Sequence, residues 1–275
     1  MTTTVLITGT SSGIGRATAR RLARRPDFTV YATARNVDAI ADLADTGARV
    51  LPLDVTDEES MRAAVTAVEA THGQVDVLVN NAGYGEYGPI EAASMDRVRA
   101  QFETNVFGLS RLTQLVLPGM RRAGRGRIVN VSSMGGRLVF PGGGYYHASK
   151  YAVEAISDAL RQEVRPFGVD VVLVEPGLIR TGFGTVAAES LGSGADPHGP
   201  YREMTAAIDA AMARGYANPR LAATPETVAR VIERAVTARR PRTRYLVTAA
   251  AWAMVHTRRL FGARVFDTVA RLQFR

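Results

Sequence analysis

Residues 5–15 read VLITGTSSGIG, an apolar β-branched run followed directly by a glycine-rich turn. The run Val5–Thr8 predicts a buried strand, and residues 14–25 predict a helix that ends before Pro26. Between them the glycines follow the spacing G-x-x-x-G-x-G. Glycines permit a tight turn and a close backbone approach, and a helix N-terminus offers unpaired N–H groups. The stretch therefore predicts a strand–turn–helix unit that can hold a pyrophosphate group.

The same alternation of strands and helices continues along the chain. Runs rich in β-branched residues predict six further strands, over residues 28–34, 49–53, 75–79, 127–131, 169–175 and 244–248. Periodic apolar positions predict helices over residues 57–71, 96–120, 145–167 and 224–238. Such an order implies right-handed βαβ units. We therefore expect residues 1–275 to form a single α/β domain of the Rossmann type. Its doubly wound, seven-stranded parallel sheet would have helices on both faces and ligands beyond the carboxyl ends of the strands.

The composition excludes several classes of chemistry. The 275 residues include no cysteine, so disulfides, thiolate metal sites and thiol catalysis are excluded. The four histidines are scattered without ligand spacing, so we expect no metal site. The N-terminus shows no signal-peptide pattern, and no apolar run is long enough to span a bilayer. The sequence thus favours a cytoplasmic protein.

The positive charge of the chain is concentrated near its C-terminus. The net charge is +8, yet residues 230–275 hold eleven arginines against Glu233 and Asp267, whereas residues 1–229 carry a balance of −1. Residues 249–275 are predicted to form a basic, amphipathic tail. It could pack on the body or on a partner subunit, or it could dock to an anionic membrane, and the packed interpretation is the commoner for a basic face. No nucleic-acid-binding module is present, so we expect no nucleic-acid partner.

A tyrosine and a lysine on one predicted helix are the candidate reactive pair. Lys150 is the only lysine among 34 basic residues, and Tyr146 precedes it by four positions, which places both on one helix face. Tyr145 points elsewhere around the helix. A tyrosine titrates near 10, and a neighbouring cation favours its phenolate form. This pair is therefore suited to moving a proton.

Several separated motifs occur in an order that resembles a known family. The glycine-rich turn is followed by Asp54-Val55, by Asn81-Ala82-Gly83 after the fourth strand, by the Y-x-x-x-K pair and by P-G-x-x-x-T at residues 176–181. Over residues 4–182 the chain resembles the short-chain dehydrogenases/reductases, and it looks most similar to the subset that acts on steroids and retinols. The resemblance implies hydride transfer between a nicotinamide and a carbonyl or secondary alcohol.

The resemblance also implies roles for individual residues. Tyr146 would be the general acid/base, Ser133 would bind the substrate oxygen, Lys150 would hold the nicotinamide ribose, and Asn105 would hold a water that relays protons to Lys150. The P-G-x-x-x-T motif would fix the nicotinamide face and imply pro-S hydride transfer. The expected cofactor-binding residues are Gly9, Ser11, Ser12, Gly13, Ile14, Gly15, Arg35, Asp54, Val55, Asn81, Ala82, Gly83, Tyr146, Lys150, Pro176, Gly177, Ile179 and Thr181.

The end of the second strand indicates which dinucleotide is bound. NAD enzymes usually carry an acid there for the ribose 2′-hydroxyl, whereas an arginine accommodates a 2′-phosphate. Here Ala34 stands at the position of the acid and Arg35 follows, so NADP(H) is expected in preference to NAD(H). Some NADP-dependent relatives also have a basic residue within the glycine-rich turn, where this chain has Ser11 and Ser12.

The predicted substrate is an apolar ketone, aldehyde or alcohol. Residues 182–220 are expected to form a substrate lid, and the pocket candidates are Tyr84, Tyr87, Met134, Leu138, Val139, Phe140 and Tyr145. The resemblance implies a homodimer or homotetramer. An NADP(H)-binding sensor without turnover is the alternative, although such proteins typically lose the serine, tyrosine or lysine, and all three are present here.

Overall fold

The fold is built on one parallel sheet. The computed structural model describes residues 2–193 and 198–273, and its main sheet has the strand order β3-β2-β1-β4-β5-β6-β9, with every pair parallel. This order reverses direction between β1 and β4, the switch point at which doubly wound sheets bind ligands. The strands are β1 (Thr3–Ile7), β2 (Phe28–Ala34), β3 (Arg49–Pro52), β4 (Val77–Asn80), β5 (Gly126–Val131), β6 (Val169–Glu175), β7 (Leu178–Ile179), β8 (Ala222–Ala223) and β9 (Arg244–Leu246).

Helices cover both faces of this sheet, because successive side chains of each strand point to opposite faces. Val5 and Ile7 of β1 belong to the core on one face of the sheet, whereas Leu6 belongs to the core on the other face. The predicted doubly wound, seven-stranded α/β fold is confirmed. The helices are α1 (Gly13–Ala23), α2 (Glu58–His72), α3 (Met95–Phe102), α4 (Leu109–Ala123), α5 (Gly144–Val164), α6 (Gly182–Ser193), α7 (Arg202–Ala217), α8 (Pro225–Thr237) and α9 (Ala249–Gln273).

The predicted helix over residues 96–120 is in fact interrupted. A π-helical turn, Glu103–Gly108, separates α3 from α4. A Cβ on Gly108 would lie 2.2 Å from the carbonyl oxygen of Val55, so the turn passes directly against the loop after β3. Only a glycine permits this approach, and the apolar periodicity of the sequence does not reveal it.

The C-terminal part adds elements that the sequence did not predict. The short strands β7 and β8 pair parallel to each other as a separate ribbon, which ties the segment after β6 to the segment before α8. α9 bends at Gly262, whose φ is 75°. Residues 194–197 of the predicted lid and residues 274–275 of the predicted tail lie outside the described residues. Within the described ranges, no helix combines the length and apolarity needed to cross a membrane.

Candidate active site

A large cavity opens at the carboxyl edge of the sheet, with a volume of about 1330 Å³. The structure brings nearly all the predicted site residues to its wall. One part is lined by most of the glycine-rich turn, by Arg35, Asp54 and the Asn81-Ala82-Gly83 segment, and by residues 176–179 with Thr181; Ser133, Tyr146 and Lys150 line the middle. Of the predicted residues, Gly15 and Asn105 lie behind the wall rather than in it.

The glycine positions of the glycine-rich turn are closely packed and leave no room for a side chain. Gly9 and Gly13 have positive φ values of 69° and 54°. A Cβ on Gly15 would lie 2.2 Å from the carbonyl oxygen of Gly9. The Asn81 side chain secures the turn from behind, because its Nδ2 donates to the carbonyl oxygens of Thr8 at 2.9 Å and Gly9 at 3.0 Å. Gly15 thus permits the shape of the turn without facing the cavity.

The start of α1 fits a phosphate group. Its N-cap Ser12 makes no side-chain hydrogen bond to the helix, and no acidic residue stands in the first turn. The first amides of this helix and its dipole are therefore available to an anion. Ser11, Ser12 and Gly13 line the cavity at this point, so the residues present match the pyrophosphate part of a dinucleotide.

The end of the cavity next to β2 carries an exposed arginine, Arg35. Arg35 lines the cavity and forms no ion pair among the described residues, whereas Arg16 and Arg20 are both bound to Asp42. The side chain of Asp54 is engaged within its own turn, where its Oδ1 accepts from the backbone N–H of Thr56 at 2.9 Å. Ala34 is buried beside Arg35 and offers no carboxylate. The guanidinium of Arg35 is thus available for a negative group.

Tyr146 is buried at the centre of the cavity wall. Its ring stacks against Tyr87, with centroids 5.6 Å apart and an interplanar angle of 29°. Burial raises the pKa of Tyr146 well above its ordinary value, and a hydrogen bond with Ser133 partly opposes that rise. The Oγ of Ser133 also accepts from the backbone N–H of Gly135 at 3.0 Å, which fixes the hydroxyl beside the tyrosine. The protein alone therefore keeps the phenol protonated at neutral pH.

Lys150 lies one helical turn beyond Tyr146 and is also buried. Its Nζ donates to the carbonyl oxygen of Val131 at 3.0 Å. Burial lowers the pKa of Lys150 to about 8, and the negative charge of Glu154 opposes this shift. The ammonium is thus mostly charged at neutral pH, although its charge depends on its surroundings.

A buried charge network, which the sequence did not predict, lies behind Lys150. Glu154 accepts from the Nε of Arg244 at 3.1 Å, and the same nitrogen lies 3.1 Å from Glu175 Oε1. Arg137 approaches Glu175 at 3.3 Å. Burial, together with Glu154, raises the pKa of Glu175 to about 7. Glu154 is a turn beyond Lys150 on α5, but its partners come from β6, β9 and the loop after β5, which no local pattern joins.

Asn105 occupies the π-helical turn and supports the cavity wall from outside. Its Nδ2 donates to the carbonyl oxygen of Tyr84 at 2.8 Å and to Ser149 Oγ at 3.0 Å, while its Oδ1 accepts from the N–H of Tyr84 at 3.0 Å. The side-chain amide thus fixes the backbone of Tyr84. The predicted proton relay through Asn105 stays a prediction.

The far end of the cavity is lined mainly by apolar groups from the C-terminal half. Phe183 of α6 lies against Tyr146, with ring centroids 5.2 Å apart, and Ile208, Met212 and Tyr216 of α7 complete this end. The sequence pointed to this segment through its apolar residues, but it gave no sign that Tyr216 lies near Tyr146.

Three of the predicted pocket residues do not line the main cavity. Tyr145 lines a separate cavity of about 210 Å³, because it is rotated away from Tyr146 on α5. Leu138 is fully buried in a small core with Val255 and Phe266, and Val139 is exposed. Tyr84, Tyr87, Met134 and Phe140 do line the main cavity.

His147 is a further cavity residue that the sequence did not single out. Its ring is buried, and its Nδ1 lies 3.1 Å from the carbonyl oxygen of Gly135. Burial lowers the pKa of His147 to about 4. The imidazole is therefore neutral at physiological pH and contributes shape rather than charge.

Comparison with known proteins identifies the family to which this chain belongs. The family model described as short chain dehydrogenase matches residues 3–191. An Escherichia coli protein, the uncharacterized oxidoreductase YbbO, is 37% identical over 274 residues, which cover 98% of this chain and 94% of that protein. The chain belongs to the short-chain dehydrogenase/reductase family of oxidoreductases, as the motifs predicted.

Two relatives with named substrates match a shorter part of the chain. The 3-ketodihydrosphingosine reductase of Bacteroides thetaiotaomicron is 44% identical over 183 residues, and the match spans 65% of each protein, just under two thirds of that relative's length. Human 17-beta-hydroxysteroid dehydrogenase type 1 is 42% identical over 192 residues, 66% of this chain and 58% of that protein. The predicted similarity to steroid dehydrogenases is thus confirmed.

Similar solved structures contain either dinucleotide. A short-chain dehydrogenase from Burkholderia phymatum in complex with NAD has a TM-score of 0.80 at 27% identity, covering 94% of this chain and 93% of that one. A metagenomic short-chain oxidoreductase in complex with NADP has a TM-score of 0.69 at 27% identity, covering 90% and 96%. Members of the family with this fold therefore bind NAD or NADP.

Proposed function

We propose that this protein is an NADP(H)-dependent reductase of apolar ketones or aldehydes, with Tyr146 as the proton donor. The observation that carries the proposal is the position of Tyr146. Both Tyr146 and Ser133 line the cavity, between the part formed by the glycine-rich turn and the apolar end. A carbonyl oxygen seated against these two hydroxyls would have its carbon at the boundary between the two parts.

The protonation states of the side chains favour the reductive direction. A phenol whose pKa is raised by burial is protonated at neutral pH, so Tyr146 can give a proton to the developing alkoxide. The Ser133 hydroxyl and the charged Lys150 stabilise the phenolate that remains. NADPH, when bound, supplies the hydride to the carbonyl carbon. We expect Lys150 to contact its ribose and Thr181 its carboxamide.

We propose the preference for NADP(H) because the guanidinium of Arg35 is exposed in the cavity. No carboxylate of the described residues neutralises it, and Ala34 offers no acceptor for a ribose hydroxyl. A charge-assisted, bidentate contact with a 2′-phosphate is worth about 2 kcal/mol, or about 30-fold in affinity. We therefore expect Arg35→Asp to weaken NADPH binding by about that factor and to improve NADH binding.

Direct titration of both dinucleotides tests this preference. Arg24→Asp is the matched control, because Arg24 is an exposed arginine at the end of α1 that does not line the cavity. Unchanged NADPH affinity in Arg35→Asp, or an equal loss in the control, would contradict the assignment.

The apolar end of the cavity supports a lipophilic substrate. The segment of α6 and α7, which we propose to act as a lid, supplies Phe183, Ile208 and Met212 to this end. The names of two relatives denote a long-chain keto lipid and a steroid, which agrees with such a pocket.

A panel of lipophilic ketones and aldehydes tests the activity, with NADPH consumption followed by absorbance. We expect turnover with at least one apolar carbonyl compound and weaker turnover with small polar ones. A protein that binds NADPH but reduces no member of the panel would instead support the sensor interpretation.

A further inference from the structure

α9 has two faces of opposite character. Its inner face forms part of the wall of the main cavity, through Ala250, Ala251 and Met254. Val255, on the same face, packs with Leu138 and with Phe266 beyond the bend. This helix is therefore fixed to the body through the substrate end of the cavity.

The outer face of α9 exposes large apolar side chains. Trp252 is 57% exposed, Leu260 73%, Phe261 63% and Val265 45%. Trp252 and Leu260 lie two helical turns apart on one face, with Phe261 and Val265 on either side of the bend at Gly262. Single exposed apolar residues are ordinary, but four large ones within fourteen positions of one element indicate an interaction surface.

The bend at Gly262 keeps Leu260 and Phe261 on the solvent side of α9. After Gly262 the chain turns, and Phe266 returns to the body. The guanidinium of Arg258 lies 5.6 Å from the Phe266 ring centroid, which ties the two arms of α9 together. Leu260 and Phe261 consequently stand at the apex of the bend, where they meet solvent.

Positive charge surrounds the apolar residues. Arg259 and Arg264 are exposed on either side of the apex, and neither pairs with a carboxylate among the described residues. Between positions 249 and 273 the sequence has four arginines and a single acid, Asp267. A surface that is both apolar and cationic is complementary to an anionic lipid headgroup layer.

We propose that the outer face of α9 docks peripherally to an anionic membrane, which brings the substrate end of the cavity to the bilayer. Delivery of an apolar substrate from that bilayer rests on the proposed function, whereas docking itself does not. A second copy of this chain fits the surface less well, because a two-fold contact presents the same surface from both copies and so brings both sets of arginines into one interface, with Asp267 as the only acid of each α9 between positions 249 and 273. Exposed Trp and Phe side chains beside arginines are typical of segments that lie in a membrane interface.

The fluorescence of Trp252 tests docking on the unmodified protein, since it is the only tryptophan of the chain. The probes are vesicles of phosphatidylcholine alone and vesicles containing 30% phosphatidylglycerol. We expect a blue shift of the emission and quenching by brominated lipid only with the anionic vesicles, and both effects should weaken as salt is added. No response to anionic vesicles, or an equal response to neutral ones, would overturn the proposal.

Paired variants test whether the arginines of α9 carry the binding. Each basic residue at an anionic surface contributes about 1 kcal/mol, so the double substitution Arg259→Gln and Arg264→Gln should reduce vesicle partitioning by about 30-fold. The control replaces Arg24 and Arg122, two exposed arginines at the ends of α1 and α4, and should leave partitioning unchanged. Equal losses in both variants would show general electrostatic attraction and overturn the assignment to α9.

Replacing Leu260 and Phe261 with serine tests whether the outer face of α9 binds a membrane or a second copy of this chain. We expect vesicle binding to fall while the lipid-free protein keeps its mass in size-exclusion chromatography with light scattering. A lower mass in this variant would assign the face to a subunit contact and overturn the proposal. These readouts need no turnover, so they stay decisive even if the ketone panel shows no activity.

Discussion

The part of the chain that would hold the dinucleotide and the part that forms the substrate end are packed in different ways. Around the glycine-rich turn, added atoms have no space: a Cβ on Gly15 would meet both Gly9 O at 2.2 Å and Asn81 Nδ2 at 2.4 Å. In α6, a Cβ on Gly182 would meet nothing within 4 Å, and one on Gly184 would meet the ring of Tyr216 at 2.9 Å. The turn is thus confined by backbone atoms, whereas the closest contact in α6 is with a side chain and Gly182 has open space.

Buried polar contacts add to this contrast. Asn80 Nδ2 donates to Asn130 Oδ1 at 2.9 Å, and Asn130 Nδ2 donates to Ser157 Oγ at 2.9 Å, so amide side chains link β4, β5 and α5 beneath the cavity. Leaving one of these groups unpaired costs about 1–3 kcal/mol. The substrate end relies instead on apolar side chains such as Met212, whose contacts adapt easily. Substitutions at the substrate end can therefore change which substrate fits while the residues that would hold the cofactor keep their positions.

The largest expected effect is at the boundary between the two regions, in Tyr146→Phe. Loss of the phenolic proton donor should lower kcat for ketone reduction by about a thousandfold, while NADPH affinity stays within about twofold. Steady-state kinetics and NADPH titration measure the two quantities.

Tyr145→Phe is the matched control, because Tyr145 lines the separate small cavity and should keep nearly full activity. If Tyr146→Phe retained substantial turnover, the proton would have to come from another group, and the proposed mechanism would be wrong.

A methyl group placed in each region tests the contrast in packing directly. Gly15→Ala forces the turn or Asn81 to move, and overpacking typically costs 1–3 kcal/mol, so we expect NADPH affinity to fall on the order of 10- to 100-fold with a lower Tm. Gly182→Ala should change affinity by less than about twofold and leave Tm equal or slightly higher. Calorimetric titration and thermal unfolding give both values. Similar losses in the two variants would remove the contrast.

The sequence was informative where a function depends on local order. The Tyr146–Lys150 pair, the spacing of the glycines and the strand ends could be predicted because each depends on helix or strand periodicity within a few residues. The boundaries of β2 and β6 agree with the prediction at both ends.

The sequence was less informative where distant segments meet. The β7–β8 ribbon consists of two-residue strands, too short to leave a periodic pattern. The contacts of Glu154 with Arg244 and of Glu175 with Arg137 join residues far apart in the chain, and the exclusion of Tyr145 from the pocket depends on its exact rotation on α5. Such features follow from tertiary packing, which local propensity does not encode.

The charge network behind Lys150 predicts a shift in pH dependence. Glu154 opposes the lowering of the Lys150 pKa by burial, so Glu154→Gln should lower that pKa further. Lysine loses its positive charge as the pH rises through its pKa, and the alkaline fall in kcat should therefore begin at lower pH. A shift of about one unit corresponds to about tenfold less activity on that limb.

Asp158→Asn is the control for this network. Asp158 also binds Arg244, at 2.6 Å, but it does not act on the Lys150 pKa. The pH–rate profiles of both variants should be measured with saturating NADPH. An unshifted alkaline limb in Glu154→Gln, or the same shift in Asp158→Asn, would show that Glu154 does not tune Lys150.

The smallest expected effect lies in the adaptable region, in Met212→Ala. Met212 lines the substrate end, and removing about 40 Å² of its apolar contact with a ligand costs about 1 kcal/mol. KM for an apolar ketone should therefore rise about fivefold while kcat changes little, because the loss affects binding rather than proton transfer. Met204→Ala on the same helix is the control, since Met204 does not line the cavity. A fall in kcat with unchanged KM would show instead that α7 positions the reacting groups, and the substrate end would then be as tightly determined as the dinucleotide end.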